Sequence, residues 1–181
     1  MTLQAGPEGA VLVKVLETER LILRWLTDED ADFVFALMNE PSYVRFIGDK
    51  GIRTIEDARE YVRSGPLESY ERFGYGLYLT ERKKDEVPIG ICGLVNRDSL
   101  EGVEIGFAFL SRYWSNGYAH ESAEAIVEFG KNFVGLNKIL AITAPDNHSS
   151  IKVLEKIGFH FKKMISVFEG EPDVKLFTRE V

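Results

Sequence analysis

The stretch Val103-Glu104-Ile105-Gly106-Phe107-Ala108-Phe109 puts a carboxylate where chemistry could use it. Side chains alternate across a strand, so Val103, Ile105, Phe107 and Phe109 make one large apolar face. Glu104, Gly106 and Ala108 make a shallow face that a ligand or a second backbone can approach closely. A carboxylate beside such a face is a candidate general base. The competing reading is an ordinary strand with one exposed glutamate and a β-bulge.

Two further stretches could handle a polar ligand. Trp114-Ser115-Asn116-Gly117-Tyr118-Ala119-His120-Glu121 joins that strand to a strongly patterned helix. The first N–H groups of a helix lack internal acceptors and the helix dipole adds to them, which makes an anion site. Ser115, Asn116, Gly117 and Ala119 keep bulk away from a phosphate, although any capped helix start shares these features. Asn147-His148-Ser149-Ser150 opens a later helix with Asn147 as its cap. Asn147 and Ser150 would then present an amide and a hydroxyl at a helix mouth. A capped amphipathic helix with no chemistry explains the same residues.

Other chemistries are not supported. The chain has no G-x-x-x-x-G-K-[ST] and no G-x-G-x-x-G opening a helix. His120-Glu121-x-x-Glu124 is one histidine short of H-E-x-x-H, and the three histidines are spread over 120, 148 and 160, so no metal site is expected.

The elements that must hold these residues follow from periodicity. Arg20–Arg24 is a short strand. Thr27 and Asp30 start a helix carrying Phe33, Val34, Leu37 and Met38, which ends near Pro41. Thr54 and Asp57 start a second helix, weakened or stopped at Gly65-Pro66. Residues 43–53 are poorly patterned. Three strands follow over 75–80, 88–95 and 103–110, close enough in sequence to form an antiparallel meander. From Gly117 the spacing becomes helical through Ala119, Ala123, Ile126, Val127, Phe133 and Val134. A strand over 138–143 completes a strand–helix–strand crossover, which requires parallel neighbours. A helix over 147–157 ends at Gly158, and strands from Phe159 and over 174–178 close the chain.

Composition bounds the answer. The chain has 181 residues, 45% hydrophobic, with 22 Lys+Arg against 29 Asp+Glu, a net charge of −7. It is expected to form one domain over 1–181, with 1–14 as a loose lead-in. The acidic balance disfavours a nucleic-acid partner, and Arg82-Lys83-Lys84 followed by Asp85-Glu86 is a solvated turn. The single cysteine, Cys92, excludes an internal disulfide and a Cys-rich zinc cluster. Neither a signal core nor an apolar run of about 20 residues occurs, so a soluble cytosolic protein without a membrane partner is expected.

Taken together, the motifs resemble the GCN5-related N-acetyltransferase family, and within it the ribosomal-protein-alanine type. Three stretches carry the likeness: Leu16–Arg24, Glu104–Phe107 with Trp114–Ala123, and Asn147-x-x-Ser150-x-x-Val153-Leu154-Glu155-Lys156-x-Gly158-Phe159. The family turn is [Q/R]-x-x-G-x-[G/A]. Gly117 and Ala119 keep its small positions. Trp114 replaces its first residue, Ser115 stands in place of glycine, Asn116 in place of a cation, His120 in place of Thr or Ser, and Ser111 in place of Pro.

The resemblance implies an α+β (mixed α/β) fold. Its central mixed, mostly antiparallel sheet has six to seven strands, is splayed at its middle and is flanked by about four helices. It implies acetyl-CoA as co-substrate, with the pantetheine arm along Phe107 and Phe109 and held by Asn147. Trp114 and Ser115 would border the cofactor turn, and the pyrophosphate would rest on the amides of Asn116, Gly117, Ala119 and His120. Glu104 would be the base, acting directly or through water, and Ser150 the proton donor. With no cysteine at a site motif, transfer would be direct. The acceptor site would form from residues 43–53 and 169–173, whose acidic residues favour a cationic amine. A protein N-terminal amine is the implied acceptor. A small amine (amino acid, polyamine or antibiotic) is the alternative, and a non-catalytic acyl-CoA-binding module is a further one. A homodimer through an edge strand also fits such a sheet.

Overall fold

The computed structural model describes residues 2–5, 11–167, 170 and 172–181. The strands are β1 (Thr2–Ala5), β2 (Val11–Glu17), β3 (Leu21–Arg24), β4 (Leu77–Arg82), β5 (Val87–Asn96), β6 (Val103–Phe109), β7 (Lys138–Thr143), β8 (His160–Ile165) and β9 (Val174–Glu180). The helices are α1 (Ala31–Met38), α2 (Pro41–Phe46), α3 (Ile55–Val62), α4 (Glu68–Phe73), α5 (Tyr118–Phe129) and α6 (His148–Lys156). The strands form one sheet in the order β1-β2-β3-β4-β5-β6-β7-β9-β8. Every neighbouring pair is antiparallel except β6 and β7.

The start of the chain corrects the sequence reading. Residues 1–14 are not a loose lead-in throughout: Thr2–Ala5 pairs with Val11–Lys14, and β2 goes on to pair with β3. Gly6, Pro7 and Gly9 mark a break in the chain, but strand pairing across that break leaves no local pattern in the sequence. This hairpin accounts for two strands beyond the expected seven. Gly65-Pro66 likewise does not stop the second helix. A five-residue π turn over 63–67 takes up the proline, and the helix resumes as α4. The poorly patterned stretch after Pro41 holds α2, with Pro41 in the first turn, where its missing N–H costs nothing.

The helix starts match their predicted caps. Thr27 with Asp30, and Thr54 with Asp57, close reciprocal capping boxes. The Asn147 side chain accepts the Ser150 N–H at 3.1 Å.

Two apolar layers sandwich the sheet. On one face, Leu79, Ile91 and Leu110 meet Val34, Leu37 and Met38 of α1 and Ala58 and Val62 of α3. On the other, Tyr78, Cys92, Leu94 and Ile105 meet Ala123, Ile126 and Val127 of α5 and Leu154 of α6. Each fully buried Leu or Ile contributes about 1.5–3 kcal/mol. The layers fix α5 and α6 against the sheet, so the starts of both helices have set positions.

Candidate active site

The parallel pair defines the site. β6 and β7 share one registered position, Glu104 opposite Leu140. α5 follows β6 and α6 follows β7, so both helix mouths lie at the carboxyl ends of the two strands. In open sheets that is where the strand order reverses and ligands bind.

The ladder between β5 and β6 shows which backbone groups the opening receives. Leu110 donates its N–H to the Ile89 carbonyl at 3.0 Å, while Leu94 donates away from β6 to the Gly76 carbonyl at 3.1 Å. Antiparallel alternation then turns the N–H and C=O of Ile105, Phe107 and Phe109 away from β5. Past the single Glu104–Leu140 pair, the groups of Phe107 and Phe109 face the gap. The Trp114 indole N–H occupies the Phe109 carbonyl at 2.8 Å, which leaves the Phe109 N–H and both groups of Phe107. The second strand face is as shallow as its residues implied. A Cβ at Gly93, opposite Gly106, would sit 2.0 Å from the Gly76 carbonyl, so the backbone of β4 approaches there.

Glu104 is not the exposed glutamate of the competing reading. It is 2% exposed, and no register shift interrupts the β5–β6 ladder around it. Arg97, on the loop between β5 and β6, donates Nε and Nη2 to Glu104 Oε1 at 2.8 and 2.5 Å. Oε2 is buried and has no hydrogen-bond partner among the described residues. Burial raises the Glu104 pKa above the ordinary carboxylate value, opposed by Arg97 and by the nearby charge of Lys50.

The turn into α5 is shaped for an anion. Gly117 caps the helix at φ +81°, and Ser115 also takes the left-handed region at φ +61°. The N–H groups of Tyr118, Ala119 and His120 have no acceptor one turn back within α5. Asn116 folds inward, its amide nitrogen donating to the Tyr113 and Trp114 carbonyls at 3.1 and 2.9 Å. His120 pairs with Glu124 at 3.6 Å instead of facing the turn.

A network missed at the sequence level braces this turn from the connection between β2 and β3. Arg20 donates Nη1 to the Asn116 carbonyl at 3.0 Å and Nε to Glu121 Oε2 at 2.6 Å, with its guanidinium 4.7 Å from the Tyr118 ring centre. The Thr18 hydroxyl and the Arg20 N–H both donate to Glu121 Oε1. Burial disfavours the charged Glu121, but these bonds outweigh it and lower its pKa below the ordinary value.

At the other mouth, Asn147 spends its side-chain oxygen on the Ser150 N–H and keeps its amide nitrogen. Ser150 is half-buried in the first turn of α6. Of the two expected acceptor segments, 169–173 carries most of the acidic residues and 43–53 is mainly basic. Residues 43–53 carry Arg45, Lys50 and Arg53 against one acid, Asp49. Arg53 binds Asp49 and holds its pKa at about 2, and Arg45 pairs with Asp146. Of the second acceptor segment, Glu169 and Glu171 lie outside the described residues. Arg97 had no sequence signal, because a single loop arginine carries no spacing.

No helix among the described residues is long and apolar enough to cross a membrane. The turn amides and the outward groups of β6 fit a pyrophosphate joined to an amide-bearing arm, the parts that coenzyme A presents.

The acetyltransferase (GNAT) domain family matches residues 20–160. An uncharacterized protein, YkkB of Bacillus subtilis (strain 168), is 34% identical over 153 residues, covering 83% of this chain and 87% of its own. The uncharacterized N-acetyltransferase YoaA of the same organism is 32% identical over 147 residues, covering 80% and 82%. Among solved structures, the ribosomal L7/L12 alpha-N-protein acetyltransferase RimL shares the fold at 14% identity and a TM-score of 0.81, covering 98% of this chain and 100% of its own. Its complex with coenzyme A superposes at 0.77, with 16% identity and coverage of 94% and 98%. The chain belongs to the GNAT acetyltransferase family.

Proposed function

We propose that the protein moves the acetyl group of acetyl-CoA to the N-terminal amine of a protein, by direct attack within a ternary complex. The observation that carries this reading is the half-satisfied Glu104 carboxylate, buried at the point where β6 and β7 part. An ammonium ion must lose a proton before its nitrogen can attack, and a buried carboxylate with one unbonded oxygen can take it, directly or through water. The amine nitrogen then bonds to the thioester carbonyl carbon. The oxyanion that forms is met by an outward N–H of β6 near Phe107. The carbon–sulfur bond breaks, the Ser150 hydroxyl passes a proton to the departing thiolate, and the nitrogen gives up its second proton to the serine oxygen as the amide forms.

The remaining residues bind. Phe107 and Phe109 offer main-chain groups to the pantetheine arm, and the Asn147 amide nitrogen adds a donor. The turn of Trp114, Ser115, Asn116, Gly117, Ala119 and His120 receives the pyrophosphate. Direct attack is supported by the state of Cys92: burial pushes its thiol up to about 12, so it is no acetyl carrier. An N-terminal acceptor is supported by the fold shared with an alpha-N-protein acetyltransferase, and the RimL–coenzyme A complex supports the cofactor.

The test is free-thiol release from acetyl-CoA over a panel of peptides with free N-termini, amino acids, polyamines and aminoglycosides. Release with peptides, lost on blocking their N-termini, is expected. Release with small amines alone would overturn the acceptor. Calorimetric binding of acetyl-CoA with no release on any amine would overturn turnover.

A further inference from the structure

Glu104 does not work alone in this geometry. Arg97 places two N–H groups on the same carboxylate oxygen, Oε1, at 2.8 and 2.5 Å. An arginine fork more often spans both oxygens of a carboxylate. Here it leaves Oε2 buried with no partner among the described residues. An unmade hydrogen bond on a buried charged oxygen costs about 1–3 kcal/mol or more. A protein built only for stability would give that oxygen a donor.

We propose that Arg97 is a positioning residue for Glu104: by holding Oε1 it turns Oε2 toward the acceptor ammonium and keeps the carboxylate ready to take its proton. This rests on the reading of Glu104 as the base. In the step itself the ammonium N–H bond breaks and an O–H bond forms at Oε2. The nitrogen keeps the electron pair it uses on the thioester, and the Arg97 proton count does not change.

The surroundings fit the role. Lys50, from the segment after α2, adds a second favourable charge to Glu104. Tyr43 of α2 and Tyr61 of α3 lie within the field of Arg97, and burial raises the pKa of both, Tyr61 to about 12, so they stay neutral beside the pair. Leu140 of β7, opposite Glu104, brings no charge. Arg97 and Lys50 are therefore the cations that offset the burial of Glu104. The Arg97 side chain is 30% exposed, so its replacement opens no sealed cavity, and the charge of Lys50 still offsets part of the burial of Glu104.

The test is a carbon-13 titration of the Glu104 carboxyl, its signal identified by its loss in Glu104→Gln, in the full chain and in Arg97→Met and Arg97→Lys. This needs no acceptor. In parallel, the pH dependence of thiol release is followed with a peptide bearing a free N-terminal alanine. An opposite charge at this range lowers a carboxylate pKa, so Arg97→Met is expected to raise the Glu104 pKa, and the acidic limb of the rate profile, by about one unit or more. Arg97→Lys keeps the charge but not the fork. It is expected to leave the limb in place and lower kcat about tenfold, with the KM for acetyl-CoA unchanged. An unmoved titration in Arg97→Met, or a wild-type kcat in Arg97→Lys, overturns the proposal. If Arg97→Met does not fold, the lysine variant decides. If Glu104→Gln keeps the acidic limb, the base assignment itself fails. If it loses the limb while Arg97→Met does not shift it, Arg97 alone fails.

Discussion

Two arginine–carboxylate clusters are built around a buried acid, Asp30 and Glu104, and they differ in how completely they are bonded. In the first, Arg24 reaches both oxygens of Asp30 at 2.8 Å and also binds Glu81 at 2.9 Å. Asp30 Oδ2 further accepts the Thr27 N–H and hydroxyl at 2.8 and 3.2 Å. Both Asp30 oxygens are used, and the cluster ties β3 and β4 to the start of α1. In the second, Arg97 uses two donors on one oxygen of Glu104 and leaves the other bare. A saturated buried charge can only be lost to structure. An unsaturated one has bonding capacity left for a substrate.

The sharpest way to break this contrast is Glu104→Gln. The amide keeps the shape but cannot take a proton. A positioned base supplies about 10²–10⁴-fold, so thiol release is expected to fall by that factor. Stability should move the other way. The Glu104 pKa is raised in the folded protein, so ionising it costs stability as pH rises from the ordinary carboxylate value through the folded one. Glutamine removes that loss. Thermal unfolding at neutral pH is expected to give a Tm equal to or above that of the parent, and a clear fall in Tm would place Glu104 with the structural cluster instead.

Asp30→Ala is the mirror experiment. It leaves Arg24, 7% exposed, without its main partner. Breaking a buried pair by removing one side costs about 3–5 kcal/mol. Denaturant unfolding should show that loss, with kcat little changed in the fraction that folds. A loss under about 1 kcal/mol would mean that water enters the cluster and that saturation is not what holds it.

The contrast also marks what the sequence could and could not tell. Glu104 was legible because its strand face is built of Gly106 and Ala108, and strand alternation is a local rule. Asn147 and Thr54 were legible because a cap and its partner lie three residues apart. The partners that complete these carboxylate clusters, and the one at the cofactor turn, come from far along the chain or from loops: Glu81 for Arg24, Arg97 for Glu104, and Thr18 and Arg20 for Glu121. No periodicity records them. The first hairpin was missed for the same reason, since its glycines and proline are visible but its pairing is not.

Ser150→Ala tests the second helix mouth with a smaller expected effect. A proton donor to the leaving thiolate is worth about 10²-fold, the lower end of acid–base contributions, because a thiolate is a good leaving group even unassisted. The loss should fall on kcat and leave the KM for acetyl-CoA alone, since the Asn147 cap uses the Ser150 N–H and not its hydroxyl. Full kcat in the alanine variant would remove the donor role and leave Ser150 as part of the cap.

Glu121→Gln has the smallest expected effect and carries the comparison to the cofactor turn. Glu121 is another acidic residue held by an arginine, with both oxygens bonded but with Arg20 45% exposed. By the rule drawn from the other two it should be structural, and water should weaken it. Its carboxylate positions Arg20, and Arg20 holds the Asn116 carbonyl that sets the turn. The variant should therefore raise the KM for acetyl-CoA, roughly tenfold, the scale of one charge-assisted hydrogen bond discounted for exposure, and leave kcat unchanged. The Glu121 pKa is lowered, so the contact is fully present above the ordinary carboxylate range and is lost as pH falls through the folded value. In the parent protein the KM for acetyl-CoA should stay flat near neutrality and climb only in acid. In the glutamine variant the acid climb should disappear. A kcat loss in place of a KM rise would mean that the brace acts on the reacting groups, and saturation would then fail to separate structural from chemical carboxylates in this fold.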